Sequence, residues 1–142
     1  EGVKTQHRTI VDNGVLQGYF LGTYSACKLG MRTTGNAGGT HNLIVRPGEL
    51  ELQGLLRKMD RGLLVTELLG SGVNAVTGDY SRGAAGFWVE HGEIQYPVEE
   101  FTIAGNLKDM YKHIVAVGND VLVQGSRQCG SILIENMMVA GQ

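Results

Sequence analysis

Gly78–Asn106 reads GDYSRGAAGFWVEHGEIQYPVEEFTIAGN, and this stretch decides the fold. It holds Trp88, the chain's single tryptophan, and the densest run of strand formers. Phe87-Trp88-Val89 favours extended backbone, because bulky and β-branched side chains fit a pleated, half-buried surface. His91-Gly92 supplies a two-residue reversal in which Gly92 is free to take a positive φ. Ile94-Gln95-Tyr96 restarts the apolar/polar alternation, so Phe87–Tyr96 predicts a β-hairpin. Pro97 has no N–H to give a ladder and marks a strand end or an edge. Glu99–Ala104 reads as a third extended run. The GDYSRG that precedes the hairpin reads as a polar loop held by hydrogen bonds of Asp79 and Arg82.

Working outward on the C-terminal side, Asn106 is an N-cap candidate for a helix through Val117. Leu107, Met110, Tyr111, Ile114 and Val117 share one face of that helix, and Gly118 ends it. Val121–Gln124, Ser131–Ile134 and Met137–Val139 are short strand candidates. On the N-terminal side, Gly62–Leu69 is a strand by length and bounding glycines, and Gly70–Gly78 a loop or an irregular strand. Glu49–Met59 carries Leu50, Leu52, Leu55, Leu56 and Met59 at helical spacing, with Arg57-Lys58 at the end the helix dipole prefers. Leu43-Ile44-Val45 reads as a buried strand closed by Pro47-Gly48, and Thr33–Asn42 as a glycine-rich loop. Thr23–Leu29 predicts a short helix capped by Thr23 or Ser25, with Gly30 where a left-handed residue is wanted. His7–Asp12 and Val15–Phe20 flank Asn13-Gly14, the strongest short hairpin signal. The two X-Gly hairpins, each followed by a helix, read either as a duplicated hairpin–helix unit or as two ordinary hairpins. The class is α+β and strand-dominated, with two or three helices covering largely antiparallel sheets.

The chain has 142 residues, which predicts one domain spanning 1–142. Hydrophobic residues make up 42% and charged ones 18%, which describes a folded chain. A formal charge of -2 gives no concentrated basic surface for nucleic acid. No apolar run is long enough to span a membrane. Cys27 and Cys129 are too sparse for a disulfide framework, so both are expected reduced and the compartment cytoplasmic. The chain opens on Glu1 rather than Met, which reads as a piece of a longer protein. The 22 glycines lie between apolar runs, as tight turns and bulges of a β-rich chain require.

GDYSRGAAGFWVE followed by GEIQYPVEEFTIAGNLKDM resembles the C-terminal part of the PmbA/TldE-type subunits of the TldD/PmbA family of cytosolic metallopeptidase pairs. That family is also described as modulators of DNA gyrase. TGNAGGTHNL at Thr34–Leu43, GNDV at Gly118–Val121 and CGS at Cys129–Ser131 fit as well, so the resemblance covers essentially the whole chain. It implies a subunit without catalysis of its own, paired with a TldD-type subunit that carries the zinc and degrades or matures unfolded peptides. DNA gyrase as a partner, and a homo-oligomer, are further readings it leaves open.

The family's zinc motif lies in an earlier part of the subunit, outside this chain, and the resemblance implies that PmbA-type subunits generally lack it. A TldD-type subunit resembles zinc peptidases through a His-Glu-x-x-x-His helix that supplies two imidazoles and a carboxylate base. Here His7, His41, His91 and His113 stand singly, and none precedes Glu. Cys129-Gly130 matches the position of the family's third ligand, but a lone thiolate without paired imidazoles holds no zinc. Metal: none, therefore, with zinc expected in the partner. Ser81 lies in no G-x-S-x-G elbow, and the glycine-rich loops lack the Gly-Lys-Ser/Thr of a phosphate cradle. In the family GDYSRG resembles part of the wall near the substrate cleft. Asp79, Tyr80, Ser81 and Arg82, with Asn36 and His41 of TGNAGGTHN, are the candidates for groups facing a peptide. Unfolded peptides of varied sequence are best held through their backbones, by strand addition to a sheet edge. An adaptor that binds another protein without taking part in proteolysis is the alternative.

Overall fold

The computed structural model describes residues Glu1–Gly141. Its elements in chain order are β1 (Val11–Asp12), β2 (Val15–Leu16), α1 (Thr23–Lys28), β3 (Leu43–Ile44), α2 (Leu52–Met59), β4 (Gly62–Leu69), β5 (Asp79–Glu90), β6 (Glu93–Asn106), α3 (Leu107–Lys112), β7 (Ile114–Val117), β8 (Leu122–Gln124), β9 (Arg127–Cys129), β10 (Ile132–Ile134) and β11 (Met138–Ala140). Strand outweighs helix, 40% against 14%, and the β1–β2, β7–β10 and β4–β5–β6–β11 pairings are antiparallel, so the class is the expected α+β. Two compact units divide the chain: Glu1–Leu43 with Gly125–Arg127, and Ile44–Gln124 with Gln128–Gln142.

In the first unit, Asn13 and Gly14 take φ of 47° and 78°, and Gln17 N–H closes on Ile10 C=O at 2.7 Å. Both central residues are left-handed, as a type I′ turn demands. The strands beside it are two residues each, not the six foreseen, because β1 and β2 pair only with each other. Only Leu21 and Ala26 are buried in this unit. Helix α1 forms where the spacing placed it, and Gly30 is left-handed at φ 64°. Its cap differs. Gly22 is the N-cap, the Glu1 carboxylate accepts Thr23 N–H at 3.1 Å, and Ser25 Oγ donates to Gly22 C=O instead of accepting. The loop that follows is tied down by Leu21. Leu21 N–H donates to Thr34 Oγ1 at 2.8 Å, while its carbonyl accepts from Thr33 Oγ1 and from the N–H groups of Thr34 and Asn36.

The second unit is built on an antiparallel sheet of order β11-β6-β5-β4. Its centre is the hairpin read from the sequence. His91 and Gly92 take φ of 55° and 72°, another left-handed pair. Asp60 C=O accepts Gly92 N–H at 2.9 Å and Gln53 Nε2 donates to Gly92 C=O at 3.2 Å, so the turn is fixed from outside. The strands are far longer than Phe87–Tyr96. GDYSRG is not a loop, because β5 already begins at Asp79, and Gly83, Ala84, Ala85 and Gly86 are small enough for β4 and β6 to close on it from both sides. Glu99–Ala104 is not a separate third strand either. It continues β6 past a bulge, where Glu99 and Glu100 oppose the single residue Ala85 and Glu100 sits at φ 57°. Pro97 lies inside β6, in a part flanked by β5 alone, since β11 pairs only with Thr102–Ala104.

The sheet buries Ala84, Phe101 and Ile103, with Leu63, Val65, Tyr80, Val98 and Met137 packed against them; Val89, Leu55 and Leu56 are buried too. Three further expectations are corrected. The helix from Leu107 ends at Lys112, where His113 N–H bonds both Asp109 C=O and Met110 C=O. Ile114–Val117 is strand β7, paired with β10, because a β-branched run finds a ladder there and Tyr111 stays exposed. Helix α2 starts at Leu52, not Glu49, because the Glu49 and Leu50 carbonyls accept from Asn119 Nδ2 and Asn119 N–H. Leu43-Ile44-Val45 is exposed rather than buried, an apolar run left uncovered by the described residues. The hairpins share a turn type but differ in length, two residues a strand against twelve and fourteen. No helix among the described residues is long and apolar enough to cross a membrane.

Candidate functional site

Asp79–Arg82 opens β5, and a turn built on Asn74 delivers the chain to it. Asn74 Oδ1 accepts Val76 N–H at 2.9 Å and Thr77 N–H at 3.2 Å, a local side-chain turn of the kind Asn favours. Thr77 Oγ1 donates to Asp79 Oδ2 at 2.6 Å, and Asn106 Nδ2 donates to Asp79 Oδ1 at 3.2 Å and to Thr77 C=O at 3.1 Å. Asn106 Oδ1 accepts Lys108 N–H and so caps α3, as its position suggested. Both oxygens of Asp79 are thus engaged within the chain. Tyr80 packs on the sheet core. Ser81 N–H donates to Gly72 C=O at 2.7 Å, and a Cβ on Gly72 would run into the Ser81 carbonyl. The Arg82 guanidinium donates to the carbonyls of Leu68, Leu69 and Gly70, where β4 ends. These four residues therefore hold the Gly70–Gly78 segment at both ends. In the other unit, Asn36 accepts from Arg8 at 2.8 Å and donates to Gly39 C=O at 3.2 Å, and His41 Nε2 lies 3.4 Å from Gly35 C=O.

A second cluster joins the GND and CGS segments, of which sequence singled out only Cys129, as a ligand position without partners. Asp120 Oδ2 accepts the Ser131 hydroxyl at 2.6 Å and Oδ1 accepts Ser131 N–H at 3.0 Å. Gly118 N–H reaches Ser131 C=O at 2.7 Å, and a Cβ on Gly118 or Gly130 would strike the Asp120 carboxylate or the Gly118 carbonyl. The Ser131 hydroxyl lowers the Asp120 pKa; burial opposes it and the Ser131 N–H reinforces it, with the net shift below the ordinary 3.8. A carboxyl depressed on folding stabilises the fold above its unfolded value, and that contribution is lost as pH falls through the folded value. Asp120→Ala is therefore expected to cost about 1.5–3 kcal/mol at neutral pH, the worth of hydrogen bonds to a charged group. Urea titrations at pH 7 and below 3.8 check this, since the gap between variant and parent should shrink in acid.

Burial pushes the Cys129 thiol up, and the neighbouring Asp120 charge adds to it. Metal ligation needs the thiolate, so this environment opposes it. Among the described residues no three His, Cys, Asp or Glu side chains stand close enough to hold an ion. The residues present do not fit a zinc site. Both cysteines are free thiols.

The second unit also carries a cavity of about 720 Å³, half open to solvent, which sequence reasoning did not anticipate. Leu55, Leu63, Val65, Trp88, Ile103 and Ile134 are among its mostly apolar walls. Arg61 stacks its guanidinium 5.3 Å from the Trp88 ring centre on that wall.

The family profile described as "PmbA/TldA metallopeptidase C-terminal domain" matches residues 1–141. The chain is similar to the metalloprotease PmbA of Escherichia coli O157:H7, 57% identical over 100% of this chain and 32% of that protein. It is similar in structure to a proposed modulator of a DNA gyrase from Thermotoga maritima, with TM-score 0.91 and 42% identity over 98% of this chain and 34% of that one. A metalloprotease TldD homolog of Buchnera aphidicola subsp. Schizaphis graminum is 26% identical over 92% of this chain and 30% of its own length. The chain thus spans about a third of the length of the curated relatives it matches. With the whole described chain under one profile and more than half its positions identical to a relative, the chain belongs to the PmbA/TldD metallopeptidase family and corresponds to its C-terminal domain.

Proposed function

We propose that this domain is the non-catalytic C-terminal part of a PmbA/TldE-type subunit that pairs in the cytoplasm with a TldD-type zinc metallopeptidase. Its work is to close the partner's degradation chamber and to hold unfolded peptides in extended form, by backbone pairing at a sheet edge. What supports this is a metallopeptidase family member whose described residues bring no set of ligands together. Zinc belongs to the partner subunit in this reading, and the TldD-type relatives supply the candidate partner. Mixing the full-length protein with a TldD-type subunit tests it. Peptide cleavage is expected only when both are present, and equal cleavage by the TldD-type subunit alone defeats the proposal. The gyrase description of the solved relatives supports a second reading, an adaptor that takes no part in proteolysis. Recovery of gyrase from lysate without any TldD-type protein would favour it.

A further inference from the structure

The second unit has unequal sheet edges. Towards β11 the exposed edge is short, three residues, and the uncovered part of β6 carries Pro97, the Glu99 and Glu100 carboxylates and a bulge. Prolines, charges, bulges and shortness are the devices that stop an edge from recruiting another strand. The opposite edge, β4, has none of these along Gly62–Val65, which reads GLLV; a bulge at Thr66 and the Glu67 carboxylate follow only beyond it. Among the described residues β4 pairs with β5 alone. Gly62, Leu63, Leu64 and Val65 of this edge strand also line the apolar cavity.

The chain is also short of cover. It exposes 10349 Å². Two free-standing bodies of the sizes of its two units would expose roughly 8,500 Å² together by the scaling of area with mass. The excess, summed over both units, is more than a transient contact buries, so the chain is built to be covered by further protein. Relatives carry about twice as much chain again outside the matched part, and the profile places that part at their C-terminal end. A tethered segment competes at millimolar effective concentration, which a separate copy does not reach.

We propose that, in a protein of its relatives' length, an extended segment of the chain preceding Glu1 pairs with β4 as a fifth strand and inserts alternate apolar side chains into the cavity. Open backbone groups and an apolar wall side by side select a strand over a helix, because a helix satisfies its own backbone. The inference does not rest on the accessory reading above, and it removes β4 from the edges open to a peptide.

The test uses the full-length protein with photoreactive p-benzoylphenylalanine in place of Thr66 or, separately, of Leu68. Both positions are exposed and lie two residues apart on β4. Irradiation of the purified protein is expected to give a cross-link at monomer mass, mapped by mass spectrometry to one segment preceding Glu1. Moving the label from Thr66 to Leu68 should move the cross-linked residue by about two, as strand pairing requires. A product at twice the monomer mass, cross-links that do not shift with the label, or no cross-link at all each overturns the proposal.

Discussion

Gly86→Ala is expected to abolish the folded state of the chain or leave it barely populated. Gly86 pairs with Val65 of β4 on one side and Val98 of β6 on the other. An added Cβ would run into the Leu64 carbonyl oxygen and stand 2.9 Å from the Leu64 carbonyl carbon and 3.0 Å from Val65 Cα. All three are backbone atoms, so no side chain can rotate away; β4 itself must leave the ladder. Replacing glycine by alanine gains about 0.4–1 kcal/mol by restricting the unfolded chain. Overpacking against movable side chains costs about 1–3 kcal/mol; here the obstacle is backbone and the β4 ladder itself must be given up, so the loss goes well beyond that range and wins. Far-UV circular dichroism and urea titration of the full-length protein and its variant would read this directly. A variant within 1 kcal/mol of the parent would show that β4 shifts freely.

Phe101→Ala carries the second largest expected effect. Phe101 is 4% exposed and forms the buried cluster with Ala84 and Ile103. It follows the Glu99–Glu100 bulge, whose extra residue turns this side chain inward opposite Ala84. Removing a buried phenyl ring costs about 3–5 kcal/mol, the transfer of its surface plus the hole left behind. Marginal domains hold about 5–15 kcal/mol in all, so the midpoint in urea should fall by a large fraction of its value. Ile103→Val beside it deletes one methylene and should cost about 0.5–1.5 kcal/mol. If the two variants proved equally destabilised, the ring would not be the centre of this core.

Much of this architecture was legible where local chemistry and tertiary context agree. Asn13-Gly14 and His91-Gly92 need left-handed backbone that few other residue pairs accept, and both form the expected turns. Gly62–Leu69 and the Asn106 cap stand where pattern and capping placed them. The misses share a cause. Ile114–Val117 satisfies a helical face and a strand equally well, and only the distant partner β10 decides between them. GDYSRG reads as a loop by composition, yet its small residues are what a strand squeezed between two neighbours needs. The bulge at Glu100 carries no signature in residue type. For the candidate site, the sequence pointed to Asp79 and Arg82 as polar residues, and their partners, Thr77, Asn106 and three carbonyls, appear only in three dimensions. The Asp120–Ser131 pair was invisible as a pair, because eleven residues separate its members.

The externally anchored turn at His91-Gly92 also has a kinetic consequence. Its flanking strands meet at minimal loop length, and closure entropy grows with the length of chain enclosed. β5 and β6 can therefore zip outward from the reversal on the microsecond scale of hairpins, ahead of anything else in this sheet. β4 joins across an intervening segment, and β11 reaches Ile103 from Val139 only after the longest excursion. The order of assembly runs from the middle of the chain towards its periphery, and the last strand to dock is the first to be released on unfolding.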